Sequence, residues 1–194
     1  IVALQQAAKA AGAVTVALVN VADSPAARNA DICLALHAGE ERSVAATKSF
    51  IVSCAAAAAI VAQWSGDSKL LAAVARLPET LEQAVRLVWP GFTDFTRDAP
   101  SVFVLGRGPA YPIAQETALK LKETCAIHAE AYSSSEVLHG PLQLATNPLL
   151  ILILDTEQPD VQPSLDTAEA RFKAAGGTTF RLRPSDAGAT DLTP

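Results

Sequence analysis

Cysteine is scarce in this chain of 194 residues, and its pattern excludes a disulfide scaffold or a zinc module. Cys33, Cys54 and Cys125 are odd in number and far apart, with neither a CxxC pair nor a Cys/His metal spacing. Such residues are more often small core hydrophobes than catalytic thiols. We therefore predict that the three cysteines are reduced and buried, in a protein of the cytoplasm.

Positive charge is also in short supply. The chain has 15 Lys and Arg residues against 20 Asp and Glu residues, a net charge of -5 and a pI of about 5.2. Because no basic run occurs, the composition argues against binding to nucleic acid or to an anionic membrane. An anion could still bind locally, through backbone N–H groups at the start of a helix.

Long hydrophobic runs are absent as well. The longest, Phe50–Trp64, is mostly alanine and is shorter than the roughly 20 residues that a membrane helix needs. We interpret it as a buried helix and a candidate subunit-interface helix. No basic stretch precedes an apolar one at the start, so no signal peptide is expected. The chain opens at Ile1 within a helical pattern and stops without a closing element, so we expect both natural ends to lie outside it.

The order of strand-like and helix-like segments indicates an α/β protein. Apolar runs predict strands at 14–20, 31–36, 101–105, 149–154 and 178–183. Helical periodicity and helix caps between them predict the main helices at 1–12, 44–64, 69–76, 78–89, 111–124 and 164–175. We predict two α/β units, each a parallel sheet flanked by helices in three layers, the first truncated at its N-terminus. Residues 1–66 would belong to the first unit, 67–100 to a helical connector and 101–194 to the second unit.

The stretch from Val102 to Pro141 concentrates the polar chemistry. A GRG loop follows a strand there and precedes a helix, which is most often only a tight turn. On the helix Glu116, Lys120 and Glu123 have a spacing that places them on one face. Such a trio most often only forms salt bridges along the exposed face of a helix. Together with the histidine of the HGP sequence, however, a carboxylate and an ammonium suit proton transfer on a carbonyl substrate.

Several motifs in this stretch resemble one family. GRGPAYPIAQETALKLKE, IHAEAY and a Glu followed by HGP are similar to the sugar isomerase (SIS) domain family, and so is ERSVAATKSF farther upstream. Within it they resemble the isomerase half of glucosamine-6-phosphate synthase and the SIS-type glucosamine-6-phosphate deaminases. The resemblance covers nearly the whole chain. It implies two SIS domains per subunit and a cytoplasmic homodimer with active sites shared between subunits.

The resemblance also implies roles for individual residues. Glu123 matches the base that moves a proton between C1 and C2, and Lys120 matches the lysine that stabilises the open-chain intermediate. His139 matches the histidine that opens the sugar ring, which in the family comes from the neighbouring subunit. The substrate-binding residues are expected to be Glu41, Val44 and Ala45 around the sugar, with Glu136 and His128 close by.

The implied activity is aldose–ketose isomerisation of a hexose 6-phosphate, coupled to amination or deamination at C2, with no metal or redox cofactor. The family's main phosphate-binding loops, its C-terminal lysine and its glutamine-hydrolysing domain have no match here. ERSVAATKSF resembles the deaminase-like branch more than the synthase. The alternatives are a phosphosugar-binding sensor, although no helix-turn-helix with a basic face is visible, and a non-catalytic homologue that keeps the fold.

Overall fold

The computed structural model describes residues 1–146 and 148–189, which form two compact units. The first unit comprises Ile1–Glu82 and the second begins at Gln83. The predicted connector, residues 67–100, falls across this division. The predicted second unit extends to residues 190–194, which lie outside the described part.

The first unit follows the predicted alternation of helices and strands. Its elements are α1 (Val2–Ala10), β1 (Val16–Val19), α2 (Pro25–Asn29), β2 (Ile32–Ala35), α3 (Lys48–Ser65), α4 (Ser68–Ala75) and α5 (Leu77–Ala84), within which the division falls. β1 and β2 pair in parallel, with Val16 opposite Ile32. The Ser24 side chain caps α2 by accepting a hydrogen bond from Ala27 N at 3.3 Å, a role for which serine is a preferred residue.

Helix α3 differs from its prediction in two ways. It begins at Lys48 rather than at Val44, so the segment before it is a loop. Ala62 is its only buried residue, and the Val61 and Trp64 residues are 53% and 88% exposed, so the predicted buried helix is not covered by the described residues. Its 18 residues reach a mean hydropathy of 1.3, enough to cross a membrane by length and composition. One such helix among the described residues is weak evidence, because helices of soluble proteins pass the same test.

The second unit is built on a four-stranded parallel sheet with strand order β5-β4-β6-β7. Its elements in chain order are β3 (Leu87–Val88), α6 (Phe92–Thr96), β4 (Ser101–Gly106), α7 (Ala110–Cys125), β5 (His128–Ser133), 3₁₀ turns at Glu136–His139 and Pro141–Thr146, β6 (Leu150–Leu154), α8 (Gln162–Ala174), β7 (Thr178–Leu182), a 3₁₀ turn at Pro184–Asp186 and β8 (Gly188–Ala189). β3 and β8 form a small antiparallel sheet.

Both faces of this sheet are covered, which confirms a parallel sheet flanked by helices. On one face Phe103 and Ile151 pack in a cluster that includes Leu165 and Phe172 of α8. On the other face the cluster around Val102, Val104 and Leu152 includes Ala114 and Ala118 of α7. β6 is buried on both sides, as its run of leucine and isoleucine predicts.

A buried ion pair joins the ends of β6 and β7. Asp155 Oδ2 lies 2.8 Å from Arg181 Nε, and their side chains are 0% and 7% exposed. Burial alone would raise the pKa of Asp155, but hydrogen bonds from Gln162, the Glu157 backbone and Arg181 outweigh it and lower that pKa. The Asp155 carboxylate therefore stays ionised, and the buried Arg181 guanidinium keeps its counter-ion.

Three sequence expectations for local structure were wrong. Strand β5 was not predicted, although HAEAYS alternates apolar and polar residues. The helix expected over 78–89 ends at Ala84, and Leu87–Val88 is a strand instead. The three cysteines are exposed rather than buried; two of them lie on β2 and α3, whose surfaces are only partly covered.

Candidate active site

The α7 trio comes together as its spacing predicts. Lys120 Nζ lies 2.8 Å from Glu123 Oε2 and 3.3 Å from Glu116 Oε1. The side chains of Lys120, Glu116 and Glu123 are 22%, 19% and 27% exposed, so one ammonium is held between two carboxylates in a partly desolvated place. The hydrogen bond to Glu123 contributes most to raising the pKa of Lys120, against a smaller opposing effect of desolvation. Lys120 therefore stays a cation at neutral pH.

Glu116 is the most enclosed of the three. Its Oε1 is shielded from solvent and makes no hydrogen bond to the described residues, so its close contact is the ionic one with Lys120. A buried carboxylate oxygen without a donor is costly unless a positive charge compensates it. Glu116 and Lys120 thus stabilise each other, which holds the ammonium beside Glu123.

The end of α7 fixes where Glu123 lies. The helix stops at Ala126, which adopts the left-handed conformation with φ 55°, and Ile127 N donates back to Leu121 O at 3.2 Å. The chain then enters β5 at His128. A helix that joins two parallel strands runs back along the sheet, so Glu123 lies toward the amino ends of β4 and β5.

His139 lies at the opposite end of the sheet. It ends the 3₁₀ turn that follows the carboxyl end of β5, at Ser133. α7 has 16 residues, about 24 Å of helix, and it separates this edge from the turn that carries Glu123. One copy of the second unit therefore does not bring His139 to Lys120 and Glu123. Its imidazole is exposed and has no hydrogen-bond or ionic partner within the described ranges.

Glu136 and His128, both predicted to lie close to the site, are at opposite ends of β5. Glu136 begins the turn that ends at His139 and is exposed. His128 starts β5 at the amino edge, toward which Glu123 also lies, and its Nδ1 is 2.8 Å from Ser101 Oγ. Its Nε2 is 3.9 Å from Glu130 Oε1. The six residues of β5, about 20 Å of strand, explain the separation, because sequence proximity does not survive an extended strand.

Arg107, just after β4, and two serines at the carboxyl end of β5 form a cluster that sequence reasoning missed. Gly106 pairs with Ser133 across the two strands, and Arg107 follows Gly106. Arg107 Nη1 donates to Ser133 Oγ at 3.1 Å and to Ser135 Oγ at 2.6 Å. The GRG loop was noted in the sequence, but the strand register that brings it to the serines after β5 could not be read there.

In the first unit, the predicted sugar-binding residues lie on the loop between β2 and α3. Glu41 Oε1 accepts hydrogen bonds from Ser49 N at 2.7 Å and Ser49 Oγ at 3.0 Å, and the backbone bond lowers the pKa of Glu41 most. Val44 is 96% exposed, while Ala45 lines a cavity of about 480 Å³. Glu41 thus braces the first turn of α3, a structural contact its sequence did not indicate.

The same loop is held at its other end by Asn20, which follows β1. Asn20 Nδ2 donates to Gly39 O at 2.6 Å, and Ala38 N donates to Asn20 Oδ1 at 2.9 Å. Lys48 Nζ donates to Glu40 O at 2.7 Å. The loop is therefore ordered by side chains on both sides. Across the described residues, no group of three or more His, Cys, Asp and Glu side chains could hold a metal ion.

Comparison with known proteins decides the family. A family model of the SIS domain matches residues 1–63 and 96–182, most of the chain. The chain belongs to the SIS domain family. The resemblance seen in its motifs is thereby confirmed.

Relatives of this SIS chain include sugar-phosphate enzymes. A glutamine–fructose-6-phosphate aminotransferase (isomerizing) of Zymomonas mobilis is 35% identical over 186 residues, 90% of this chain but 30% of that protein. A candidate phosphosugar isomerase of Silicibacter pomeroyi DSS-3 has a TM-score of 0.85 at 41% identity, covering 93% of this chain and 55% of that one. The C-terminal domain of glucosamine-fructose-6-phosphate aminotransferase from Francisella tularensis has a TM-score of 0.77 at 28% identity. The match covers 94% of this chain and 55% of that one. The chain spans about a third of the aminotransferase and about half of the two solved chains.

Proposed function

We propose that this SIS chain is part of a cytoplasmic phosphosugar isomerase. The reaction is aldose–ketose isomerisation of a hexose 6-phosphate, coupled to amination or deamination at C2. The observation that carries the proposal is the Lys120 ammonium held between two carboxylates on α7. A base with a fixed cation beside it suits a reaction that removes a proton from carbon and builds negative charge on the neighbouring oxygen.

In this proposal Glu123 moves the proton. Its carboxylate takes a proton from C1 or C2 of the open-chain sugar, which leaves an enediolate, or an enolamine where C2 carries nitrogen, and returns the proton to the other carbon. Lys120 stabilises the enediolate oxygen. Glu116 supports the step by remaining a counter-ion to Lys120 when Glu123 carries the proton, since its Oε1 is 3.3 Å from Nζ.

His139 would open the closed sugar ring by moving a proton between oxygens. Its exposed imidazole, without a partner among the described residues, is available for such a transfer. Because α7 separates it from Glu123 within one copy, the proposed site takes Lys120 and Glu123 from one copy and His139 from a second. A homodimer with shared active sites is the simplest assembly that meets this requirement.

The loop between β2 and α3 of the first unit carries the other proposed sugar-binding residues. We assign sugar contacts to Ala45, which lines the cavity, and to the exposed Val44 beside it, and hydrogen bonding to Glu136 near His139 and to His128. Glu41, which is already occupied by Ser49, would act mainly by holding the loop in shape. The two compact units would be two SIS-type units, the first incomplete in this chain.

The test is proton NMR in D₂O with the full-length natural protein. One sample contains glucosamine 6-phosphate and the other contains fructose 6-phosphate with ammonium. Loss of the C1 or C2 proton signal, with ammonia released or consumed, would support the proposal and name the direction. Ligand-induced shifts in protein resonances without any exchange would instead favour the sensor, a non-catalytic phosphosugar-binding module.

A further inference from the structure

We propose that Arg107 is a positioning residue for the turn that carries His139, an inference that rests on the proposed role of that histidine. Arg107 follows the last residue of β4, and the turn follows the last residue of β5. These two strand ends are neighbours, because Gly106 and Ser133 are opposite each other in the parallel register. A side chain from the first can therefore hold the second.

The guanidinium joins the two strand ends directly. Arg107 Nη1 donates to Ser133 Oγ at 3.1 Å and to Ser135 Oγ at 2.6 Å. Ser133 closes β5, and Ser135 immediately precedes the 3₁₀ turn Glu136–His139. The Ser135 hydroxyl does not cap this turn by bonding its backbone, so its contact with Arg107 holds it in place. Charge-assisted hydrogen bonds of this kind are stronger than neutral ones.

The residue between the two serines is anchored from the opposite side. Ser134 is fully buried, its N donates to Gly106 O at 3.1 Å, and its Oγ lies 2.7 Å from Ser164 Oγ on α8. Val137, inside the turn, is also fully buried. The start of the turn is thus held on its buried side by Ser134 and Val137 and on its exposed side by Arg107. The His139 side chain at the end of the turn remains exposed.

Arg107 is exposed, so its truncation leaves no cavity in the core. Ser133 Oγ and Ser135 Oγ remain 3.2 Å apart and can still bond each other. The loss is then confined to the link between the GRG loop and the turn. We expect the turn to sample other conformations and the His139 imidazole to spend less time at its working place.

The kinetic test compares Arg107→Ala with wild type on a closed-ring sugar phosphate and on an open-chain analogue. The closed-ring rate should fall on the order of 10- to 100-fold, the range that a small misplacement of a reacting group produces, and the open-chain rate about twofold or less. Arg107→Lys should recover part of the loss. Arg97→Ala, which removes an exposed partner of Asp94, is the matched control and should leave both rates unchanged. Equal losses on both substrates, or none, would overturn the proposal.

A second readout is independent of activity. Amide hydrogen exchange over residues 134–140 should accelerate in Arg107→Ala, while exchange in β6 stays at the wild-type rate. The Ser133→Ala/Ser135→Ala double variant should show the same acceleration, and adding Arg107→Ala to it should change little. Unchanged exchange in this turn would refute the positioning role. Wild-type protein inactive on both substrates would refute the proposed function instead, and the exchange result would still decide whether Arg107 holds the turn.

Discussion

Lys120 and Glu123 form a 2.8 Å ion pair on the last turns of α7, and Glu116 contacts the same ammonium from the preceding turn. The trio holds two negative charges and one positive charge on a surface that is only partly solvated. Ion pairs near the surface commonly contribute little to stability, because water already solvates their charges well. The placement of the trio therefore gives a stronger argument for chemistry than for folding.

Glu123→Gln should remove C1–C2 proton exchange and leave sugar-phosphate binding nearly intact. The amide keeps the size of the carboxylate but cannot accept the carbon-bound proton, so the rate should fall about 10²- to 10⁴-fold. Deuterium incorporation from D₂O measures the exchange, and ligand titration measures the binding. Glu79→Gln, in the first turn of α5, is a control that should be silent. Undiminished exchange in Glu123→Gln would remove this residue from the mechanism.

His139→Ala should slow the reaction of the closed ring far more than that of an open-chain analogue, because only the closed ring needs opening. If the site is shared, mixing this variant with Glu123→Gln should restore activity. In a random mixture half of the dimers are hybrids with one intact site each, so about a quarter of wild-type activity should return. A mixture as inactive as its two components would show that both residues act from the same copy, or that subunits do not exchange; mixing by co-expression separates these two outcomes.

Local periodicity predicted some of this site. The spacing of Glu116, Lys120 and Glu123 gave their shared face, because a helix repeats every 3.6 residues regardless of the remainder of the fold. The continuous apolar run 149–154 predicted a strand buried on both faces, because each face of such a strand presents apolar side chains. These are patterns within one element, and the structure confirms them.

Contacts that depend on the arrangement of several elements could not be predicted from the sequence. Both His128 and Glu136 were expected close to the site, but β5 was not predicted, although Ala129 and Ala131 alternate with polar residues there, and this strand puts the two residues at opposite edges of the sheet. The contact of Arg107 with Ser133 requires the register between two strands, and 26 residues separate the pair in sequence. Helix α3 begins at Lys48, later than predicted, and its start also depends on a contact from outside the helix. The Glu41 carboxylate, eight residues before Ser49, accepts a hydrogen bond from Ser49 N in the first turn.

Gly106→Ala should destabilise the second unit by about 1–3 kcal/mol, as overpacking in a closed turn commonly does. A Cβ at this position would lie 2.5 Å from Ala110 O and 2.9 Å from Tyr111 Cα, so the start of α7 would have to move. Urea unfolding followed by far-UV circular dichroism measures the change. Gly188→Ala is the control, since its nearest contact would be 3.7 Å away. Wild-type stability for Gly106→Ala would mean that the loop adapts without cost.

Asp31 should make the stability of the first unit depend on acid pH. Its carboxylate accepts hydrogen bonds from Thr15 N at 2.8 Å and Thr15 Oγ1 at 2.9 Å and pairs with Lys9 at 2.9 Å. The Thr15 backbone bond contributes most to lowering the pKa of Asp31, from 3.8 to about 2. Because the folded pKa lies below the unfolded one, the stabilisation is complete above pH 3.8 and is lost as the pH falls toward 2. Asp31→Asn should lower the urea midpoint at neutral pH and flatten the decline over this window, whereas Asp23→Asn should leave both unchanged. An unaltered acid decline in Asp31→Asn would assign it to other carboxylates.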